Sequence, residues 1–327
     1  MMAKLRAGLI GYGSMGRNHA RVLRSLENVE LIGIADSNIV AEDEKIFRSV
    51  EELIKLKPDY CVVATPTLMH EEVAIKLAEA GIHALIEKPL APSGASAKRI
   101  AEVFTLNEVI GAVGHIERYN PALQEARKRI TDGQIGNLLQ IATRRQGPFP
   151  ARISDVGVIK DLATHDIDLT SWIAGSPFFT VSAQIAYRSG RPHEDMLCAI
   201  GQLKDGTITS HVVNWLSPSK ERITVLTGEK GTLVADTLMA DLTFYANGTF
   251  NTEWSELARF RGVSEGDSVR YAFAKPEPLR IEHEQFRNAV QGQSAEIVTL
   301  QQGVEIMIVA DSMLKSAQDS QTIKLRG

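Results

Sequence analysis

Leu5-Arg6-Ala7-Gly8-Leu9-Ile10-Gly11-Tyr12-Gly13-Ser14-Met15-Gly16 is the stretch on which the fold turns. Its first six residues are a mostly apolar run of strand length, and its glycines follow in the spacing G-x-G-x-x-G. Helical periodicity begins at the third glycine and runs over 16–26. In a strand–loop–helix unit the glycines have separate tasks. Gly11 permits the tight turn out of the strand, Gly13 lets the backbone approach a pyrophosphate, and Gly16 lets the helix pack on the sheet. The helix start then offers free N–H groups and a partial positive charge to phosphates. Tyr12, Ser14 and Met15 complete the loop. Asp36 ends the next apolar run, about twenty residues on, where a carboxylate accepts ribose hydroxyls. It would repel a 2′-phosphate, and no arginine follows at once, so the loop reads as a site for NAD in preference to NADP.

Working outward, strands are predicted over 30–35, 60–64, 83–86 and 109–113, with helices over 49–56, 70–80 and 94–105 between them. Gly81 is placed to cap the 70–80 helix in a left-handed conformation. Such alternation implies right-handed crossovers and a doubly wound parallel sheet, here of the Rossmann type. Ligands of open sheets sit at the carboxyl edge. Ala64, Thr65 and Pro66 close the third strand there, and His70 opens the following helix. His70 either reaches the cofactor riboses or caps backbone. Glu87-Lys88-Pro89 closes the fourth strand at the same edge. Proline cannot continue the ladder, so the strand stops and Lys88 projects where a nicotinamide would end. An ammonium there stabilises a developing alkoxide or protonates a ketone in reverse.

The chain has 327 residues, a length that suggests two domains, with 44% hydrophobic and 23% charged residues. The net charge of −4 and a pI near 6.1 carry no basic stripe for nucleic acid. No apolar run reaches membrane-spanning length, and none at the N-terminus resembles a signal peptide. Cys61 and Cys198 lie far apart in apolar runs, which suggests buried, reduced thiols and a cytoplasmic protein.

After Pro121 the pattern changes. A helix over 124–130 precedes strands over 138–145, 180–187, 196–203, 208–216, 222–227 and 242–245, with turn signals at Asp205-Gly206, Gly228–Gly231 and Asn247-Gly248. Helices are predicted over 281–290 and 300–317, and 253–277 is the least regular stretch. The division expected is 1–119 for the dinucleotide and 120–327 for an α+β domain with a large, mainly antiparallel open sheet. A sheet covered on one face leaves the other for a partner, so a homodimer or homotetramer is expected. Asp161 and His165 sit one helical turn apart in DLATHDIDL, a carboxylate placed to orient an imidazole. Taken alone, His165 reads sooner as a packed helix histidine than as a base. A metal held by Asp161, His165 and Asp168 ranks low, since nothing else supplies a metal motif.

GLIGYGSMGRNHARVL, VVATPTLMHEEVAIKLAEAGIHALIEKPLA and GHIERYNP resemble the Gfo/Idh/MocA oxidoreductases, a family that includes glucose–fructose oxidoreductase and inositol dehydrogenase. The likeness runs over nearly the whole chain. It implies that Gly11–Gly16, Asp36, Ala64, Thr65, Pro66, His70, Glu87 and Lys88 serve NAD. It implies Lys88 and His165 as the catalytic pair, with Asp161 contacting substrate or histidine. Between Asp36 and Ser49 the chain is shorter than is usual in the family, so a curtailed helix is expected there. Within the family, GHIERYNPALQEARKRI, RRQGPFPARISDVGVIKDLATHDIDL and EPLRIEHEQF are most similar to members acting on the 3-position of UDP-N-acetylglucosamine. Arg118, Arg145 and Arg152 would then serve a pyrophosphate, guanidinium forks matching its geometry, or else are surface or ion-paired arginines. Inositol or free-hexose oxidation is the alternative within the family. A non-catalytic NAD(H)-binding regulator is the alternative outside enzymes.

Overall fold

The computed structural model describes residues 4–38, 46–150, 156–248 and 265–325. The chain divides into two units, neither continuous. The first gathers Met1–Ile116, Arg152–Thr164 and Glu277–Asp311, and the second Glu117–Ala151, His165–Pro276 and Ser312–Gly327. A division at 119/120 falls beside the first of these breaks. The chain then re-enters the first unit twice.

The first unit is built on strands β1 (Leu5–Ile10), β2 (Val29–Ala35), β3 (Ile46–Phe47), β4 (Tyr60–Val63), β5 (His83–Glu87) and β6 (Gly111–Gly114). They form a six-stranded sheet in the order β3-β2-β1-β4-β5-β6, every described pair parallel. The crossovers carry helices α1 (Ser14–Ser25), α2 (Val50–Ile54), α3 (His70–Glu79) and α4 (Gly94–Leu106). Local signals fix their starts. Ser49 Oγ accepts from the Glu52 N–H at 3.2 Å, and Ser93 Oγ accepts from the Ser96 N–H at 3.2 Å. Gly81 has φ +73°, the predicted left-handed cap. Of the curtailed region, 39–45 lies outside the described residues, and Ile46–Phe47 forms the two-residue strand β3 on the sheet edge.

Both faces of this sheet are buried, as a parallel sheet requires. One face packs Leu77, Ile86, Ile100 and Phe104 with Val304 and Met307, and the other packs Leu9, Leu23, Tyr60 and Val62 with Leu279 and Phe286. Leu279 and Phe286 belong to α7 (Pro278–Val290), Val304 and Met307 to α8 (Leu300–Asp319). Placing both helices in a domain 120–327 misses this return. Phe286 meets Tyr60 edge-on at 5.5 Å between centroids, and the Val113 N–H donates to Val298 O at 2.9 Å.

The second unit holds a nine-stranded sheet, ordered β14-β13-β12-β11-β7-β10-β9-β8-β15. Its strands are β7 (Leu138–Pro148), β8 (Phe178–Ala186), β9 (Met196–Leu203), β10 (Ile208–Asn214), β11 (Leu216–Gly228), β12 (Gly231–Asp236), β13 (Asp241–Asn247), β14 (Glu265–Arg270) and β15 (Ile323–Lys324). All described pairs are antiparallel except β7–β10. Helices α5 (Pro121–Thr131) and α6 (Thr164–Ala174) supply Leu123, Ala126, Leu169 and Ile173 to one face, against Ile141, Leu226 and Leu233. On the opposite face the register aligns Cys198 with Val212 and Ile200 with Ser210. Cys198 is therefore exposed, against the expectation of a buried thiol, because alternation along β9 turns it outward. Part of the stretch expected to be irregular, 265–270, is the edge strand β14, and 253–264 lies outside the described residues. No helix among the described residues is long and apolar enough to cross a membrane.

Candidate functional site

The glycine loop leaves β1 under tight steric control. Gly11 adopts φ +91°, and a Cβ there would sit 2.5 Å from Ala64 O. A Cβ on Gly16 would lie 2.0 Å from Gly11 O. Gly13 differs: its Cβ would meet nothing within 4 Å. Gly13 also caps α1 with no side-chain hydrogen bond, so no cap side chain satisfies the first N–H groups. Asp36 Oδ2 accepts the Tyr12 N–H at 2.8 Å and Oδ1 the Asn38 N–H at 2.9 Å. The Asp36 carboxylate is thereby drawn onto the loop itself. Thr65 Oγ1, just past β4, is buried without a hydrogen-bond partner among the described residues. An uncapped helix start, an open cradle at Gly13 and an orphan hydroxyl at the same edge fit a dinucleotide. Gly13→Ala tests this. The expected result is unchanged thermal stability with at least tenfold weaker NADH binding by fluorescence titration. Unchanged affinity would remove Gly13 from the phosphate site.

His70 does not point outward. It is 1% exposed, with Nδ1 2.9 Å from Pro89 O and Nε2 3.0 Å from Thr65 O. It ties together the two loops that follow β4 and β5. Burial pushes its pKa down, against the opposing pull of the Thr65 and Pro89 carbonyls. Glu87 is also buried, 9% exposed, and so presents little surface to a ligand.

Lys88 directly follows β5, and its peptide bond to Pro89 is cis. Nζ donates to Asp161 Oδ1 and to Asp161 O, both at 2.8 Å. Asp161 lies in a π-helical turn, Ile159–Ala163, not in the α-helix expected from the sequence; α6 starts only at Thr164. Such wide turns recur at functional sites. Lys160 anchors this one, donating to Pro92 O, with Nζ 3.3 Å from Asp311 Oδ1. The spacing in the sequence suggests Asp161 as a partner for an imidazole, whereas the described hydrogen bonds of its carboxylate go to Lys88. An ammonium fixed at two points can meet a substrate oxygen without first losing rotamer freedom.

In the second unit His165 is 7% exposed, near the start of α6. The residues flanking it are ion-paired. Arg118 Nε donates to both oxygens of Asp168 at 2.9 and 3.0 Å. Arg145 Nε donates to Asp166 at 2.8 Å and Arg145 NH1 to Glu117 at 3.1 Å. Both arginines are buried, at 8% and 4% exposure, so ion pairing is the alternative that the geometry favours over pyrophosphate binding. Arg152 lies outside the described residues. Among the described residues no group of three or more His, Cys, Asp or Glu side chains is arranged to hold a metal.

Reading the sequence missed His19 and His283. Their signal was faint: both are histidines on the core-facing side of amphipathic helices, and such residues usually only pack. His19 Nε2 lies 2.9 Å from Glu87 Oε1, and His19 Nδ1 lies 2.8 Å from His283 Nε2. Burial first, then His19, pushes the His283 pKa well down; burial likewise lowers that of His211 in the second unit. Both imidazoles are then neutral in the fold at a pH where the unfolded chain, titrating near 6.5, takes up a proton. The unfolded state binds more protons there. Stability is complete above that value and falls below it, by up to about 1.4 kcal/mol per pH unit for each group. Urea midpoints at pH 7.5 and 5.5 measure this, and the lower pH should give the lower midpoint.

A dinucleotide cradle with a tethered amine at the same sheet edge defines the class, a nicotinamide-dependent oxidoreductase. Residues 5–115 match the oxidoreductase family described as having an NAD-binding Rossmann fold, and residues 123–234 match the GFO/IDH/MocA C-terminal domain. Together these cover more than half of the chain, which belongs to the Gfo/Idh/MocA family. It is 32% identical over 216 residues to UDP-N-acetylglucosamine 3-dehydrogenase of Acidithiobacillus ferrooxidans, covering 64% of this chain and 66% of that protein. It is 28% identical to inositol 2-dehydrogenase of Corynebacterium glutamicum, covering 65% and 68%. The solved structure of the Acidithiobacillus enzyme superposes with a TM-score of 0.85 at 26% identity, covering 97% of this chain and 99% of that one.

Proposed function

We propose that the protein moves a hydride between a secondary alcohol of a sugar and NAD, the sugar being a UDP-linked N-acetylhexosamine reacting at its 3-position. The observation that carries the reading is Lys88 Nζ, held by Asp161 at 2.8 Å on the edge that bears the glycine loop. Bound NAD+ supplies the hydride acceptor. Lys88 holds the substrate oxygen and stabilises it as it gains negative charge. Asp161 keeps the ammonium in place. His165 is the base that takes the hydroxyl proton, a role resting on family resemblance. The 32% identity to a UDP-N-acetylglucosamine 3-dehydrogenase supports the nucleotide sugar.

Oxidation of inositol or a free hexose is the second reading. It is favoured by the commitment of Arg118 and Arg145 to carboxylates. A non-catalytic NAD(H)-binding regulator has no evident use for the Lys88–Asp161 pair. The test is NADH fluorescence on mixing protein, NAD+ and a panel of UDP-sugars, inositols and hexoses. Turnover of UDP-N-acetylglucosamine is expected, turnover of an inositol or hexose but no UDP-sugar selects the second reading, and silence across the panel sinks both. A homodimer or homotetramer through the open face of the second unit completes the proposal. Ile200, Ile208, Val212 and Tyr245 are 38–61% exposed on that face, and light scattering reads the mass.

A further inference from the structure

Behind Lys88 lies a chain of buried polar groups that the proposed reaction does not use. Glu87 Oε2 accepts the Lys88 N–H at 3.1 Å. Its other oxygen meets His19 Nε2 at 2.9 Å, and His19 Nδ1 meets His283 Nε2 at 2.8 Å. His19 is 0% exposed and His283 1%. The three residues come from α1, the end of β5 and α7, segments separated by 68 and 264 positions from His19. A Cβ on Gly114 would sit 3.2 Å from Glu87 Oε1, so the β6 backbone closes over the carboxylate.

We propose that Glu87 is a positioning residue for Lys88, held for that task by His19 and His283. The proposal rests on Lys88 being the catalytic amine. The geometry carries it in two ways. The carboxylate fixes the main chain from which the Lys88 side chain sets out, so Nζ arrives at Asp161 from a defined start. It is also an anion buried one residue from an ammonium. Burial alone would push the Glu87 carboxyl up, but the His19 hydrogen bond, with charge from His19, Lys88 and His70, holds it below its ordinary value. The titratable groups around it are His19 on α1, His70 on α3, Lys88 itself and, beyond His19, His283 with its neighbour Glu282 on α7. Asp161 faces the far end of Lys88.

Packing alone would tolerate Glu87→Gln. The amide oxygen can accept the Lys88 N–H while its NH2 donates to His19 Nε2. His19 Nδ1–H then donates to His283 Nε2, so reversed tautomers satisfy the row. A positioning role for the carboxylate would not tolerate it. The direct readout is acylation of Lys88 by acetic anhydride at pH 7.5, followed by peptide mass spectrometry. Lys98, 70% exposed, is the internal standard. It needs no substrate.

In Glu87→Gln, Lys88 acylation relative to Lys98 is expected to rise at least fivefold, because the anion buried beside the ammonium is gone. The kcat should fall at least tenfold with KM for NAD+ within threefold. His19→Gln, which keeps a donor to Glu87 but cuts the link to His283, should change labelling in the same direction by about twofold. It takes over the test if Glu87→Gln does not fold. Unchanged labelling in a folded variant overturns the proposal, whatever turns over. Raised labelling in a protein silent on every compound of the panel supports it and sinks only the substrate reading.

Discussion

Lys88→Met lowers turnover by about a thousandfold or more and leaves NADH affinity within about threefold of the parent. The size follows from what is removed. A fixed cation that meets charge developing on an oxygen contributes on the order of 10²–10³ in rate, and a lost proton-transfer partner adds to that. Methionine keeps the length and much of the apolar stem, and it deletes the charge that Asp161 holds at 2.8 Å. The proposed dinucleotide contacts lie elsewhere, at the start of α1 for the phosphates and at Asp36 for a ribose, so binding is spared. There is a structural cost. The Asp161 side chain, 6% exposed, loses its cation, worth about 1–3 kcal/mol for a buried acceptor left without its donor. Thermal melting therefore accompanies the rate assay, made with the panel compound that turns over. A folded Lys88→Met enzyme with near-parent kcat would remove Lys88 from the chemistry.

Arg145→Met costs about 3–5 kcal/mol of stability, because it leaves the buried Asp166 carboxylate, and the partly buried Glu117 beside it, without a cation. Arg145 is 4% exposed and contacts both Asp166 and Glu117. Burial by itself would lower its pKa, but the two carboxylates outweigh burial and raise it, so the guanidinium stays charged. The midpoint of urea unfolding reads the loss. The opposite outcome is informative too. If Arg145 were chiefly a substrate pyrophosphate ligand, Arg145→Met would keep its unfolding midpoint and raise KM for a UDP-sugar. That result would restore the role suggested by the sequence and overturn the structural one. Asp166 directly follows His165, so kcat should also fall as the start of α6 loosens.

Much of the first unit was legible because its signals are local. β1 matches its expected span residue for residue, since a short apolar run followed by a glycine turn has few other solutions. β9 does so as well, ahead of Asp205-Gly206. Strands such as β3 and β15 were missed because each spans two residues and gains its place from a neighbour already laid down. The π-helical turn at Ile159–Ala163 was invisible for a related reason. Its apolar spacing suits an ordinary helix, and the wide turn is held by Lys160 reaching Pro92 and Asp311. The apolar stripes of α7 and α8 announced amphipathic helices without saying which sheet they cover. Burial against Tyr60, Ile100 and Phe104 settled that.

The candidate site divides along the same line. The glycine spacing, the acid at Asp36 and a lysine at a strand end are properties of neighbours along the chain, and an unfolded peptide already carries them. They were enough to name a dinucleotide and an amine. Which carboxylate meets that amine was not readable, because Asp161 is 73 residues away and only strand register and a wide helical turn bring it there. The fate of Arg118 and Arg145 was equally hidden. A guanidinium suits a phosphate or a carboxylate alike, and burial beside Asp168 and Asp166 makes the choice. His19, Glu87 and His283 mean little singly; packing three distant segments around one carboxylate joins them. Local chemistry is written in short spacings, and partners are chosen only once long-range burial has removed water as the alternative.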